Sequence, residues 1–329
     1  MSRVLVTGAG GYIGNILTRL LLEDGYQVRA LDTFWFGSER LPLEDPKLEI
    51  VEGDIRSISS EIMEGVEAII DLAAISNDPA GELDPVVTWS INHLGRFRIA
   101  SLGKAAGVSR YILPSSCSIY GFQDDKVDEE SEVNPLTTYA KANLAAENDV
   151  LSLSSDDFCV TVIRQSTVYG LSERMRFDLA VNGMTKGFFE NGKIPLMKDG
   201  TQWRPFVHVK DTSKAMLMLL SANKEDVNGE IFNVGSDEQN YQIFNLAERV
   251  AAGQGIPFEY EWYGDPDHRS YRVSFDKIVQ RIGFSPDFKA EDGALEVRRA
   301  LDSGAVLPDD PSTITLGWYK SLIEKGLME

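Results

Sequence analysis

The chain has 329 residues, of which 43% are hydrophobic and 25% are charged, a composition typical of a soluble globular protein large enough for two lobes. Its formal net charge of -19 at pH 7 argues against nucleic acid or an anionic membrane as a partner, because like charges repel. Its two cysteines, Cys117 and Cys159, make no disulfide framework, so we expect a reducing cytoplasm. The sequence contains no apolar run long enough to span a bilayer and no cluster with metal-ligand spacing, so we expect neither a membrane span nor a metal.

The first fifty residues predict a strand, a helix and a second strand. Between the first strand and the helix, Gly8, Gly11 and Gly14 form a G-x-x-G-x-x-G turn, which permits a tight bend and a close approach of the backbone to a pyrophosphate. Asp32 ends the second predicted strand, where a carboxylate accepts hydrogen bonds from the adenosine ribose and repels a 2′-phosphate. The pattern favours NAD over NADP, and a flavodoxin-like fold with an incidental acid is the alternative.

Strands and helices continue to alternate, which predicts an α/β fold built on a doubly wound parallel (Rossmann) sheet. Long helices are expected at residues 84–107 and 138–153. Beyond residue 169, shorter helices and β-like pieces predict a smaller, mixed α/β substrate lobe. We therefore divide the chain into an NAD-binding domain and a mainly substrate-binding lobe, at residues 1–170 and 171–329, with the chain crossing back near 205–235.

Several short motifs follow one another in a fixed order. Besides the glycine turn they are Gly53-Asp54-Ile55, Leu72-Ala73-Ala74, Ser115-Ser116-Cys117-Ser118-Ile119-Tyr120-Gly121, Tyr139, Glu147 and Arg164-x-x-x-Val168-Tyr169-Gly170. Together they resemble the extended short-chain dehydrogenase/reductases, specifically the NAD-dependent nucleotide-sugar epimerases and dehydratases. Motifs at residues 203–211 and 267–271 extend the resemblance over nearly the whole chain. It implies NAD as cofactor, a nucleoside-diphosphate sugar as substrate and a homodimer formed through the two long helices.

The resemblance also implies which residues contact each ligand. The cofactor contacts beyond the three glycines and Asp32 are Tyr12, Ile13, Asp54, Ile55, Leu72, Ala73, Ala74, Asn92, Tyr139 and Asn143. Asn92 is expected to hold backbone rather than to do chemistry. The substrate contacts are Ser116, Arg174, Asn182, Arg204 and Arg269. Arg204 and Arg269 are expected to bind the diphosphate, since a bidentate guanidinium suits phosphate, with surface ion pairs as the alternative.

The implied catalytic residues are Ser116, which hydrogen-bonds the reacting hydroxyl or carbonyl, and Tyr139, the general base or acid. The family pattern is Tyr-x-x-x-Lys, but Asn143 stands where the lysine belongs. A lysine ammonium favours the tyrosine phenolate, whereas an amide has no charge. Three explanations are open: a substitution made to trap a complex, slow turnover in which oxidised NAD alone acidifies Tyr139, or a binding protein without turnover. Under the first two, Asn143→Lys should raise turnover.

The reaction that the resemblance favours is epimerisation of a nucleoside-diphosphate sugar through a transient keto sugar. In the 4,6-dehydratases an Asp-Glu pair resembles Cys117-Ser118, and a thiol and a hydroxyl do not replace that acid and base at neutral pH. Cys117 is either a catalytic residue or a small buried one. A nucleotide-sugar dehydrogenase, ketoreductase or dehydratase is the alternative among enzymes, and an NAD- or sugar-nucleotide-binding protein without turnover is the alternative from another class.

Overall fold

The computed structural model describes residues 2–328. Its strands, in chain order, are β1 (Arg3–Thr7), β2 (Gln27–Asp32), β3 (Leu48–Glu52), β4 (Val66–Asp71), β5 (Arg110–Ser116), β6 (Phe122–Val127), β7 (Cys159–Gln165), β8 (Thr167–Tyr169), β9 (Ile194–Met197), β10 (Trp203–His208), β11 (Glu230–Val234), β12 (Asn240–Gln242), β13 (Tyr260–Tyr263) and β14 (Ser270–Val273). Its α-helices are α1 (Tyr12–Glu23), α2 (Asp78–Gly81), α3 (Pro85–Trp89), α4 (Arg96–Ala105), α5 (Thr138–Leu151), α6 (Ala180–Asn191), α7 (Val209–Ser221), α8 (Lys224–Val227), α9 (Ile243–Gln254), α10 (Asp276–Ile282), α11 (Ala290–Asp302) and α12 (Thr315–Glu324).

Seven parallel strands form the central sheet in the order β11-β7-β5-β4-β1-β2-β3. From β1 the chain proceeds outward to β3 on one side and then, on the other side, from β4 to β11. The strand order reverses between β1 and β4, and ligands of such sheets bind at the carboxyl ends of the strands beside the reversal. The doubly wound Rossmann sheet is therefore confirmed, and its site is expected after β1 and β4.

The second half of the chain contributes to both parts of the molecule. β11 pairs with β7 at the edge of the central sheet, and α7 packs against α1. The remaining strands form small sheets, of which the largest has the order β12-β10-β8. A separate apolar cluster unites α6, α9 and α11 with β9 and β10, and its members include Val181, Leu196, Phe206, Leu246 and Ala294.

The long helix expected at residues 84–107 is a helical run interrupted by a π-helical segment. That segment, Ser90–Gly95, lies between α3 and α4. Asn92 within it bonds to the backbone of Ile75, its Oδ1 accepting from the amide at 2.8 Å and its Nδ2 donating to the carbonyl at 3.0 Å. The segment is thereby tied to the chain just after β4, and it fixes the direction in which α4 begins.

None of the helices within residues 2–328 is both long enough and apolar enough to cross a bilayer.

Candidate functional site

A cavity of about 860 Å³ opens at the carboxyl ends of the central strands. Its floor follows β1, β2, β3, β4, β5 and β7, and its far wall comes from the second half of the chain. The volume is in the range of small-molecule sites. The residues expected at the cofactor, at the reacting carbon and at the diphosphate line this one cavity, and the principal ones are Gly8, Gly11, Gly14, Asp32, Ser116, Tyr139, Arg204 and Arg269.

The glycine turn has no room for side chains. Gly8 has φ +67°, and a Cβ placed there would lie 2.7 Å from the carbonyl carbon of Leu72. A Cβ on Gly14 would collide with the carbonyl oxygen of Gly8. Gly11 is the N-cap of α1, and no side chain caps that helix end. The first turn of α1 therefore offers backbone N–H groups and a positive dipole end to an anion, which fits a dinucleotide pyrophosphate.

The side chain of Asp32, at the end of β2, is held in place by backbone N–H groups of the glycine turn and of the loop after β2. Its two carboxylate oxygens accept from the backbone N–H groups of Gly10 at 2.9 Å and Phe34 at 2.8 Å. Burial raises the pKa of Asp32, and these hydrogen bonds oppose the rise. Oδ1 also accepts from the Thr33 hydroxyl at 3.4 Å, and Oδ2 keeps a further lone pair for a ribose hydroxyl. The carboxylate thus fits the adenosine ribose of NAD.

Most of the other expected cofactor contacts line the same cavity, namely Tyr12, Ile13, Asp54, Ile55, Leu72, Ala73 and Ala74. Asp54 forms an ion pair with Arg56 at 2.7 Å. The expectation that Asn92 contacts the cofactor is wrong. Asn92 does not line the cavity, and both polar atoms of its amide are hydrogen-bonded to the backbone of Ile75. Its position is that of a backbone-holding residue rather than of a cofactor contact.

Ser116 and Tyr139 face the cavity from neighbouring elements. Ser116 ends β5, and its Oγ accepts from the Ser118 amide at 3.1 Å. Tyr139 is the second residue of α5, whose N-cap Thr137 accepts from the Ala140 amide at 3.1 Å. The cap fixes the start of the helix and so the direction of the tyrosine.

The pKa of Tyr139 results from opposing influences. Burial raises the pKa above its ordinary value, and the charge of Asp78 raises it further. The charge of Arg96 lowers it, as do the nearby polar side chains of Ser116 and Asn143. Neither Asp78 nor Arg96 was among the residues chosen from the sequence. The Asn77-Asp78-Pro79 run could have indicated a helix start, but nothing near Arg96 in the sequence points to the site.

Asn143 does not line the cavity. Its side chain is 1% exposed, and its Oδ1 accepts from Nη1 of Arg96 at 2.9 Å. Asn143 was expected to contact the cofactor, but its amide is buried outside the cavity lining and is bonded to Arg96.

The expectations that Cys117 is catalytic and that Asn182 contacts the substrate are also corrected by the structure. Cys117 is fully buried outside the cavity lining, its Sγ donates to the Arg164 carbonyl at 3.2 Å, and burial raises the pKa of its thiol. A buried thiol with a raised pKa has no access to substrate and little thiolate. Asn182 is likewise outside the lining and fully buried, and its amide bonds to Gly170, Arg176 and Tyr12. Both residues hold structure rather than substrate.

Arg204 and Arg269 stand together at the end of the cavity formed by the second half of the chain. Arg204 donates to Asp267 at 2.9 Å and to the carbonyls of Trp203 and Arg269. Arg269 bonds Asp267 at 2.7 Å and is also paired with Asp78. Burial alone would lower the pKa of Arg269, but the two carboxylates raise it above its ordinary value. Both guanidinium groups line the cavity, and both are paired with Asp267.

Arg174 lies nearer the cofactor end than was expected of a substrate contact. Its guanidinium carbon stands 3.7 Å from the ring centre of Phe36, a few residues beyond Asp32, and it bonds the hydroxyl of Thr315 at 3.2 Å. Within residues 2–328 it has no ion-pair partner, and burial together with the charge of Arg176 lowers the pKa of Arg174 to about 10. A buried cation without a counterion beside the cavity is suited to a phosphate.

No group of three or more His, Cys, Asp or Glu side chains that could hold a metal ion occurs in the described part of the chain.

The geometry agrees with comparisons against known proteins. A model of the NAD-dependent epimerase/dehydratase family matches residues 4–235. The chain belongs to this family. It is 26% identical to a UDP-glucose 4-epimerase of Corynebacterium glutamicum over 304 residues, which are 87% of this chain and 91% of the relative. It is 27% identical to a UDP-glucuronate 4-epimerase of Thermodesulfobacterium geofontis over 312 residues, 89% and 94% of the two chains.

Solved structures of the family share this fold. MoeE5 in complex with UDP-glucuronic acid and NAD matches with a TM-score of 0.81 at 25% identity, over 91% of this chain and 100% of that one. A UDP-glucuronic acid 4-epimerase from Bacillus cereus, also solved with NAD, matches with a TM-score of 0.82 at 21% identity, over 92% and 99%. The chain is thus an NAD-dependent enzyme of the epimerase/dehydratase family, and its glycine turn and Asp32 fit that cofactor.

Proposed function

We propose that the protein epimerises a nucleoside-diphosphate sugar, with a UDP-sugar as the first candidate, through a transient keto sugar. The observation that carries the proposal is that Ser116 and Tyr139 lie in one cavity between the cofactor-type turn and the arginine pair Arg204 and Arg269. A sugar whose diphosphate binds the arginines would extend from them towards Tyr139. UDP-sugar epimerases among the relatives support the choice of substrate class and of epimerisation.

Each side chain then has a chemical task. NAD, when bound, supplies the acceptance and return of hydride. Tyr139 takes the proton of the sugar hydroxyl and later returns it, which is general base and then general acid catalysis. Ser116 hydrogen-bonds the same oxygen, and Arg204 and Arg269 hold the diphosphate. For Arg269 this requires exchanging its Asp78 partner for a phosphate oxygen.

Dehydration is the weaker alternative because Cys117 and Ser118 stand where the resembling 4,6-dehydratases have an Asp-Glu pair. Cys117 does not reach the cavity, and its neighbour Ser118, which does line it, carries no acidic group. A net dehydrogenase or ketoreductase would use the same Ser116 and Tyr139 but would exchange free cofactor.

The deciding experiment is incubation of the purified protein with UDP-glucose and UDP-glucuronic acid, followed by nuclear magnetic resonance of the sugar and by absorbance of reduced nicotinamide. An epimerase forms an isomeric sugar nucleotide at equilibrium, accumulates no reduced cofactor and releases NAD on denaturation. Accumulation of reduced cofactor with an oxidised product identifies a dehydrogenase. Bound sugar nucleotide without a product identifies a binding protein and contradicts the proposal.

We also propose a homodimer in the cytoplasm. The helical run from α3 to α4 exposes Val86, 79% accessible, and Leu94, 58% accessible, with Trp89 beside them. On α5, which the resemblance places at the dimer contact, Val150 is fully buried in the core, so the outward apolar face comes mainly from α3 and the π-helical segment. Both cysteines are free thiols, as suits a reducing compartment.

Light scattering at micromolar protein should give the mass of two chains, because clustered exposed apolar side chains favour self-association. Leu94→Glu should shift the mass towards one chain, since it would place two like charges across a two-fold axis. As a control, Leu307→Glu changes a leucine that is 64% exposed and far along the chain, and it should leave the mass unchanged. A wild-type protein of one-chain mass at this concentration contradicts the dimer.

A further inference from the structure

Arg96 is a buried cation that the catalytic scheme above does not use. It is the first residue of α4 and is 1% exposed. Its Nη2 donates to the carbonyls of Asp71 at 2.8 Å and Pro114 at 2.5 Å, and its Nη1 donates to Asn143. All three acceptors are neutral oxygens, and among residues 2–328 Arg96 forms no ion pair. Its positive charge is therefore not cancelled by direct contact with a carboxylate.

The hydrogen bond from Arg96 fixes which way the Asn143 amide points. Because Oδ1 is the acceptor, the amide nitrogen Nδ2 must face away from Arg96. Nδ2 is buried and finds no hydrogen-bond acceptor within the described part of the chain that meets ordinary distance and angle limits. Asn143 follows Tyr139 by one helical turn, so the two side chains share a face of α5. The nearby Asn143 amide lowers the pKa of Tyr139.

We propose that Arg96, acting through the Asn143 amide, is the cation that stabilises the Tyr139 phenolate in place of a lysine at position 143. Arg96 is a positioning residue in this arrangement, because it touches Asn143 and not the reacting atoms. The proposal rests on the proposed function, in which Tyr139 exchanges a proton with the sugar. Under this proposal, Asn143 is part of a functioning active site, and its presence does not inactivate the enzyme.

Two physical effects carry the influence of Arg96. The charge of Arg96, partly offset by the Asp71 carboxylate, acts directly across the buried interior, where opposite charges interact more strongly than in solvent. The guanidinium also polarises the amide, so Nδ2 becomes a stronger donor towards a developing phenolate.

Other charged side chains lie near Arg96 and Tyr139, and they limit how far Arg96 can lower the pKa of the tyrosine. Asp78 raises the pKa of Tyr139, although Arg269 is paired with Asp78. Asp71 lies close to Arg96, and its carboxylate accepts from Tyr111 at 2.6 Å. Burial raises the pKa of Asp71, and the charge of Arg96 opposes that rise.

Directly after α2, Glu82 accepts hydrogen bonds from the amide and the hydroxyl of Thr138, the residue before Tyr139. Glu82 is exposed to solvent, whereas the charge of Asp78 favours a protonated Tyr139. Because Asp78 acts in this direction, a nearby cation matters more than it would in a neutral pocket.

A four-protein cycle tests the proposal: wild type, Arg96→Met, Asn143→Lys and the double variant, each saturated with NAD. The first readout is the ultraviolet absorbance of tyrosinate as a function of pH, taken as the difference between each protein and the same protein carrying Tyr139→Phe. The second readout is the pH profile of kcat, with KM measured for the sugar nucleotide. Arg98→Met, a substitution of a second arginine on α4, is the matched control.

We expect Arg96→Met to raise the titration midpoint of Tyr139 by about one to two pH units. The fraction of phenolate at neutral pH then falls, so kcat there falls by about 10- to 100-fold while KM changes little. Asn143→Lys alone should not raise turnover, because its ammonium would lie beside the Arg96 guanidinium and would replace a hydrogen bond with repulsion. In the double variant Arg96→Met with Asn143→Lys, the lysine has no cationic neighbour. Its kcat at neutral pH should therefore be at least about tenfold higher than that of Arg96→Met alone.

The proposal is overturned if Arg96→Met leaves the tyrosinate midpoint where it is in the Arg98→Met control, or if Asn143→Lys alone raises turnover about tenfold or more. Should Arg96→Met fail to fold, Asn143→Leu removes the relay and leaves the two carbonyl bonds of Arg96 intact, and it must raise the midpoint in the same direction. The tyrosinate titration needs no turnover. A protein that shows the shifts but converts no sugar nucleotide therefore refutes the proposed function and not this inference.

Discussion

Replacing Tyr139 by phenylalanine should lower turnover by about 10³-fold, within the range by which a positioned general acid or base accelerates a reaction. The change removes one oxygen from a side chain that lines the cavity opposite Ser116. The ring remains, so the wall of the cavity is preserved. Steady-state kinetics on the sugar nucleotide that the wild type converts will measure kcat and KM, and mass spectrometry of the denatured protein will measure retained NAD.

The loss should fall on kcat, with KM and NAD content nearly unchanged, because Arg204, Arg269 and the glycine turn are untouched. Tyr260→Phe is the matched control: it removes a phenolic oxygen from β13, outside the cavity, and should leave kcat within about twofold. A Tyr139→Phe protein that keeps more than about a tenth of the wild-type kcat would show that another group moves the proton.

The pH profile of the wild type follows from the same residue. Burial and Asp78 raise the pKa of Tyr139, and the phenolate is the form that accepts a proton. Turnover should therefore rise with pH up to the titration of Tyr139 and level off above it.

Arg164→Met should be the most destabilising single substitution considered, with a loss of about 3–5 kcal/mol in the free energy of unfolding. Arg164 forms a buried ion pair with Glu147 at 2.9 Å, and the two side chains are 5% and 1% exposed. Burial alone would lower the pKa of Arg164, but the Glu147 carboxylate raises it above its ordinary value. Methionine would leave the carboxylate buried with only the Ser115 hydroxyl, 2.5 Å away, as a partner.

Urea unfolding of three variants separates the ion pair from the loss of packing. Arg164→Met together with Glu147→Leu removes both charges and should recover at least half of the lost stability, since no unpaired charge remains. Arg298→Met breaks the exposed pair with Asp302 and should cost less than about 1 kcal/mol. Equal losses in Arg164→Met and Arg298→Met would show that burial of the Glu147 pair adds nothing. Because Glu147 holds Ser115 beside Ser116, we also expect Arg164→Met to lower kcat.

Much of the fold could be predicted because it depends on local patterns. The glycine turn, the run of strands and helices and the doubly wound sheet follow from residue spacing over short stretches, and the structure has them. The long helix at 84–107 shows the limit of such patterns. Periodicity indicates that a helix forms, but a π-helical segment depends on contacts with other parts of the chain, here those of Asn92 with Ile75 and of Gly95 with Ile55.

The corrected site residues share one cause. Cys117 and Asn182 stand in sequence beside residues that line the cavity, yet their side chains point into the protein and bond to Arg164 and Gly170. Along a chain, neighbouring residues can face opposite directions, and only packing decides which of them meets solvent. Arg174 was expected at the substrate and lies at Phe36 because two segments far apart in sequence pack together.

The sequence by itself determined the family, the cofactor class and the sheet, since each rests on residues at fixed short spacing. It also predicted Ser116 and Tyr139 as the catalytic pair, and both line the cavity. It also showed that the lysine is missing. Only the tertiary structure decided what that absence means. The cation that takes the place of the lysine is Arg96, which stands 47 residues before Asn143 in the chain. Hydrogen bonds and charges act through space, so a cation brought in by another helix leaves no mark in the spacing around Tyr139.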